Sequence, residues 1–119
     1  MSTPEYKIKL YSEINKSIND VIPLYREQIK RDCARMLCSR DWLLYDSAYI
    51  TIISSNLVKK INDAGRYLAK SGEETGGYPQ CPVVVCDVSG KPVKNQETII
   101  EDYLDDEDLA VYLKAITLG

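Results

Sequence analysis

The chain contains no histidine, and this absence removes the side chain that most often serves in catalysis and metal binding. Without an imidazole there is no Ser-His-Asp or Cys-His nucleophile, no His-containing metal site and no histidine acid or base near neutral pH. The kinds of chemistry that remain open to the chain are thiol chemistry, an all-cysteine metal site, and reactions of carboxylates, lysines and tyrosines. No specific motif indicates any of these, so the sequence predicts a protein that is not an enzyme and binds no cofactor.

The sequence also lacks phenylalanine and any apolar run near the roughly 18 residues that a membrane span requires. No membrane association is therefore expected. The N-terminal residues 1–5 have neither the basic nor the apolar part of a secretory signal. We expect a cytoplasmic, reducing location, where thiols stay free.

With 119 residues, 45% of them hydrophobic and 28% charged, the chain is large enough to fold around one hydrophobic core without disulfides or a structural metal. We therefore expect a single globular domain over residues 1–119. Nine tyrosines dominate the aromatic residues. Because a tyrosine keeps a hydroxyl that needs a partner, we expect several of them half-buried at the edge of the core.

The periodicity of apolar residues predicts a helix-dominated α+β fold with a small sheet or hairpin. A strand is predicted at 6–11, and helices at about 13–21 and 23–38, with a single helix kinked at Pro23 as the alternative. Residues 40–53 are compatible with strands or with a buried helix. A helix at 56–70, capped by Ser54 or Ser55 and ending at Gly72, precedes a glycine-rich loop at 71–77. A hairpin at 82–94 turns at Ser89 and Gly90, and two short helices begin near Gln96 and Asp105.

The charges divide along the chain: residues 1–96 carry 14 Lys/Arg against 11 Asp/Glu, whereas residues 97–119 carry one lysine against seven acids. The last segment holds an acidic patch, for which a solvated surface, a partner-binding site and a site for a hard cation are the alternatives; its residues are Glu101, Asp102, Asp105, Asp106, Glu107 and Asp108. One basic cluster precedes residue 41 and consists of Arg26, Lys30, Arg31, Arg35 and Arg40. A second follows it and consists of Lys59, Lys60, Arg66 and Lys70.

Four cysteines form two pairs with four residues between their members: Cys33 with Cys38 and Cys81 with Cys86. That spacing is at the edge of what a zinc site allows, and residues five apart on one helix or strand point in different directions. Buried structural thiols are the preferred interpretation and zinc is the alternative. A reactive thiol with a lowered pKa at Cys33 or Cys38, beside Arg31 or Arg35, is a third.

These features favour a small non-enzymatic interaction or regulatory protein that acts through charged and tyrosine-rich surfaces as a homodimer. Its acidic patch would pair with the basic helices of a second copy or of another protein. The alternative is a nucleic-acid-binding regulator in which a basic helix and a hairpin follow the element order of a winged helix. Its contact residues would be Lys59, Lys60, Arg66, Lys70 and Lys91.

Overall fold

The computed structural model of the protein describes residues 17–39, 47–70 and 83–118. Within these ranges the chain forms four helices and two strands, in the order α1 (Ile18–Leu37), α2 (Ser47–Asp63), β1 (Leu68–Lys70), β2 (Val84–Cys86), α3 (Gln96–Tyr103) and α4 (Asp106–Leu118). This confirms the predicted helix-dominated α+β class. The predicted strand at 6–11, the loop at 71–77, Arg40 and Cys81 lie outside the described residues.

Helix α1 contains Pro23 and is kinked two residues later, where Tyr25 has φ −127° and ψ 21°. A proline inside a helix lacks the N–H that would bond to the carbonyl four residues earlier, and its ring crowds that carbonyl. Residues 18–37 are therefore two helical stretches that join across a kink at Tyr25. This agrees with the two helices preferred from the sequence, 13–21 and 23–38, although the break lies at residue 25, and equally with the kinked helix held as the alternative. Its apolar stripe is buried, as the spacing predicts, through Val21, Ile22, Ile29, Cys33, Ala34, Met36 and Leu37.

Helix α2 decides between two alternatives at one place and corrects the sequence interpretation at two others. Residues 48–53, compatible with strands or a buried helix, are helical, and Ser54 and Ser55 lie inside the helix rather than capping it. The helix also ends at Asp63 instead of Gly72. Gly65 adopts φ 66°, a left-handed conformation that ends helices and suits glycine.

Beyond that turn the chain enters the short strand β1, so the predicted helix at 56–70 is wrong in its last third. Strands β1 and β2 are antiparallel, with Ala69 opposite Val85. The side-chain carbonyl of Asn62 accepts a hydrogen bond from the Ala69 N–H at 3.0 Å. This occupies a donor of an edge strand that would otherwise be open to pairing.

The turn after β2 lies where the sequence predicts it. The Asp87 carboxylate accepts hydrogen bonds from the Ser89 N–H, the Ser89 hydroxyl and the Lys91 N–H at 2.9, 2.6 and 3.1 Å. Gly90 has φ 89°. The returning arm is only a bridge between Pro92 and Cys86, because a proline has no N–H to continue a ladder.

Helices α3 and α4 begin within a residue of their predicted positions, and α4 packs against both α1 and α2. Leu109 and Leu113 are fully buried at the centre of the molecule, and Tyr112 is almost so. Four other tyrosines pack partly buried against the core, as expected from their number: Tyr25, Tyr49, Tyr67 and Tyr103. The remaining surface is what any partner would meet.

Candidate interaction surface

The acidic patch is built around the start of α4, where Asp105 and Asp108 cap each other. The Asp108 N–H donates to Asp105 Oδ1 at 2.9 Å, and the Asp105 N–H donates to Asp108 Oδ2 at 3.2 Å. This reciprocal pattern is a capping box with aspartates in both roles. Asp108 is only 2% exposed. A carboxylate so buried needs a cation, because desolvation disfavours its charge.

Lys60 of α2 supplies that cation. Its Nζ lies 2.7 Å from Asp105 Oδ2 and 2.8 Å from Asp108 Oδ2, and it also donates to the Tyr103 carbonyl at 3.3 Å. Partial burial lowers the pKa of Lys60, but its hydrogen bonds to the two aspartates outweigh burial and raise that pKa. Burial likewise raises the pKa of Asp105, and the Lys60 and Asp108 hydrogen bonds outweigh it and lower that pKa. Lys60 therefore joins α2 to the corner between α3 and α4.

A second ion pair uses Asp106. Arg26 of α1 contacts both its carboxylate oxygens at 2.9 Å, a bidentate geometry. The hydrogen bond from Arg26 lowers the pKa of Asp106, and the charge of Lys30 adds to the effect. The sequence analysis expected the acidic patch to pair with basic helices of a second copy or of another protein. Arg26 and Lys60 instead pair with aspartates of the patch within one chain. Glu101, Asp102 and Glu107 make no ion pair with any described residue.

The residues of the predicted nucleic-acid surface lie on four different elements of the fold. Lys59 and Lys60 lie on α2, but Lys60 is engaged as above. Arg66 lies in the turn after α2, Lys70 ends β1, and Lys91 lies in the turn after β2. The continuous basic helix on which the winged-helix analogy depends does not form, because the left-handed turn at Gly65 ends α2 before Arg66.

The three described cysteines, Cys33, Cys38 and Cys86, are free thiols, and Cys33 and Cys86 are buried. Burial, followed by the charges of Asp108 and Asp32, raises the pKa of Cys33. Burial and Glu97 raise the pKa of Cys38 to about 11. The interpretation of a thiol activated by Arg31 or Arg35 is therefore wrong for Cys33 and Cys38. No group of three metal-binding side chains occurs among the described residues, and the zinc alternative requires Cys81, which lies outside them.

Two open clefts mark the described surface. One, of about 490 Å³, lies at the start of α3 between Cys38 and residues 93–98. The other, of about 380 Å³, lies between the first turns of α1 and α4 and includes Pro23, Asp106 and Ala110. In the first cleft the Cys38 thiol lies near Glu97, and burial followed by the Glu97 charge raises the pKa of that thiol.

The outward face of α2 is the feature that the sequence interpretation missed. Residues 47–58 contain no charged residue, although 28% of the chain is charged. Ile50, Ile53, Leu57 and Ile61 are buried on one side of the helix, and Ile52 on the opposite side is 49% exposed. Exposed positions on α1, α3 and α4, in contrast, include several charges. The uncharged run from Ser47 to Val58 is the sequence feature from which this face could have been predicted.

No family model, curated protein or solved structure matches the chain. Across residues 17–39, 47–70 and 83–118, no helix has both the length and the apolar content to cross a bilayer. Function is therefore argued from the geometry of the surface itself.

Proposed function

We propose that this chain is a small non-enzymatic protein-interaction module with a regulatory or accessory role, and that it binds its partner through the outward face of α2. The observation that carries the proposal is the charge-free run of residues 47–58 on a helix whose one side faces solvent. The centres of protein interfaces are depleted of charged residues, whereas solvated helix faces are rich in them.

The packing of α2 adds support. Its inner side is anchored by Ile50, Ile53, Leu57 and Ile61, all of them at least 98% buried, and by contacts with α4 and β1. A face held rigidly before binding loses little conformational entropy when a partner docks. Ile52 supplies the apolar anchor, and half of its surface remains to be covered.

The charged surfaces support a secondary role. Asp105, Asp106 and Asp108 are engaged with Lys60 and Arg26 inside the chain, which leaves three carboxylates of the acidic patch without an ion pair to any described residue. Exposed charges of this kind steer association and change its rate more than its final affinity. The nucleic-acid alternative has weaker support, because phosphate binding needs several free cations on one surface.

Site-specific photo-cross-linking tests the proposal. A benzophenone amino acid is placed at position 52 in cells that make the protein, with the same residue at position 24 as the matched control. Leu24 is an exposed aliphatic residue of α1, 66% exposed, outside the charge-free face. We expect a discrete protein adduct from position 52 and none from position 24. Equal labelling at the two positions, or no protein adduct at position 52, would contradict the proposal.

A further inference from the structure

The contact between α2 and the start of α4 places an amine against a buried carboxyl group. Lys60 Nζ lies 2.8 Å from Asp108 Oδ2, and the Asp108 side chain is 2% exposed. Since a carboxyl carbon lies one bond from its oxygens, Nζ is within about 4 Å of Asp108 Cγ, near the separation of about 3–3.5 Å from which reacting atoms combine.

We propose that Lys60 and Asp108 form an intramolecular isopeptide bond, a covalent cross-link between α2 and α4. This inference uses no part of the outward face of α2 and is independent of the proposed function. The product is an amide without charge, whereas the reactants bury a carboxylate. Desolvation disfavours that buried charge and therefore favours the amide.

Asp105 supplies the two further groups that such a reaction uses. Its Oδ2 lies 2.7 Å from Lys60 Nζ and accepts the proton that the ammonium must lose before it can attack. Its N–H lies 3.2 Å from Asp108 Oδ2 and stabilises the negative charge that develops on that oxygen in the tetrahedral intermediate. The Asp105 side chain is 53% exposed, which gives the released water a path to solvent.

The reaction is a condensation and needs no oxidant, reductant or second substrate. The neutral amine of Lys60 attacks Asp108 Cγ, a C–N bond forms, and the bond from Cγ to Oδ1 breaks. Of the three protons on Nζ, one remains on the amide nitrogen and two leave with Oδ1 as water, the first of them by way of Asp105. Asp105 ends as the carboxylate it was at the start, and the pair loses one positive and one negative charge.

The ion pair between Lys60 and the two aspartates is the starting state of this reaction. Its hydrogen bonds raise the pKa of Lys60, so only a small fraction of molecules holds the neutral amine at any moment. Proximity offsets part of that penalty, because reactants fixed in contact behave as though present at about 10⁵ M or more. The bond should therefore form more slowly than the chain folds, and the two forms coexist until the reaction is complete.

Intact mass spectrometry of the denatured full chain tests the proposal. During incubation of the folded protein at 25 °C for about a week, we expect a growing fraction of the 13.5 kDa chain to lose about 18 Da, the mass of one water. After tryptic digestion, the peptide that contains Lys60 should be joined to the peptide that contains Asp108, with no cleavage after Lys60. A chain that keeps its full mass and yields the two peptides separately would overturn the proposal.

Three variants assign the reacting groups. Lys60→Arg keeps the cation but cannot form this amide, so it should keep its full mass. Lys59→Arg, the matched control on α2, should lose water as the parent chain does. Asp105→Asn retains the backbone N–H but lacks the proton acceptor, and it should form the bond at least about tenfold more slowly.

The Lys60→Arg variant also separates the cross-link from a cyclic imide at an aspartate, which loses the same mass. Loss of water that persists in Lys60→Arg, without joined peptides in the parent chain, would show such an imide and overturn the cross-link. If Lys60→Arg does not fold, the joined or separate peptides of the parent chain decide the proposal.

Discussion

Replacing Lys60 by methionine removes the cation that neutralises the buried Asp108. The substitution keeps a long, unbranched side chain in place, so packing changes little while both ion pairs disappear. Asp108 is 98% buried, and among the described residues its carboxylate then retains only the hydrogen bond from the Asp105 N–H. The Tyr103 carbonyl loses its donor as well.

The expected loss of stability follows from these contacts. Removing one partner of a fully buried ion pair costs about 3–5 kcal/mol. The Lys60 side chain is 34% exposed, so water compensates part of the loss and we expect about 2–3 kcal/mol. With a urea m-value of about 2 kcal/mol/M, the unfolding midpoint should fall by about 1–1.5 M. Urea denaturation followed by circular dichroism at 222 nm measures this shift.

Lys59→Met is the matched control, because Lys59 is the neighbouring lysine on α2 and forms no ion pair with any described residue. It should change the free energy of unfolding by less than about 0.5 kcal/mol. Adding Asp108→Asn to Lys60→Met should restore at least about 1 kcal/mol, since the uncompensated charge is then gone. Equal stability of the two lysine variants would refute the role assigned to Lys60.

Three further predictions concern the turn after α2, the acid stability and the thiols. Gly65→Ala should lower the free energy of unfolding by about 1 kcal/mol because of the backbone conformation alone, since the position has φ 66° and an added Cβ meets no atom within 4 Å. Gly65→Asn should lower it less, because asparagine tolerates this conformation. Equal urea midpoints for the two variants would contradict this. The pKa values of Asp105 and Asp106 are lowered in the folded state, so the unfolded chain binds more protons in acid. The contribution of these two carboxylates to the free energy of unfolding should be complete above the unfolded-state pKa of about 4, and it should be lost as the pH falls through their lower folded-state pKa values. Urea unfolding midpoints measured between pH 2 and 7 will report this loss. Midpoints independent of pH would argue against it. Alkylation of the native protein at pH 7.5, followed by peptide mass spectrometry, should leave Cys33 unlabelled. Cys38 should be labelled about a hundredfold more slowly than an ordinary thiol, because the pKa of Cys38 is raised to about 11. Labelling of Cys38 at the ordinary rate would show that its thiol is not perturbed.

The success of the sequence predictions follows the strength of the local signal. Apolar residues every three or four positions predicted α1 and α4, whereas Asn95 stands at the start of α3 without making a side-chain capping hydrogen bond. Residues 48–53 were ambiguous, because their β-branched and aromatic side chains favour strands while packing decides the outcome. Against α4, the spacing of Ile50, Ile53 and Leu57 matches one side of a helix, and burial on that side outweighs local propensity.

The candidate site was less predictable than the fold. The acidic patch and the basic clusters are visible in the chain, but their mutual pairing is not, since Lys60 and Asp108 are 48 residues apart and Arg26 and Asp106 are 80 residues apart. A sequence lists charges without showing which of them the fold brings together. The proposed interaction face was not visible in the sequence for the same reason, because its recognition requires the helical form of residues 47–58.

The sequence by itself determined the class of the fold, the absence of histidine chemistry and the division of charge along the chain. These follow from composition and from short-range periodicity, which depend on neighbouring residues alone. Only the tertiary structure decided that Asp108 is buried and matched by Lys60, and that the uncharged side of α2 faces outward. Burial and long-range pairing arise when distant segments pack around one core, and the free energies of desolvation and contact that govern them exist only in that packed arrangement.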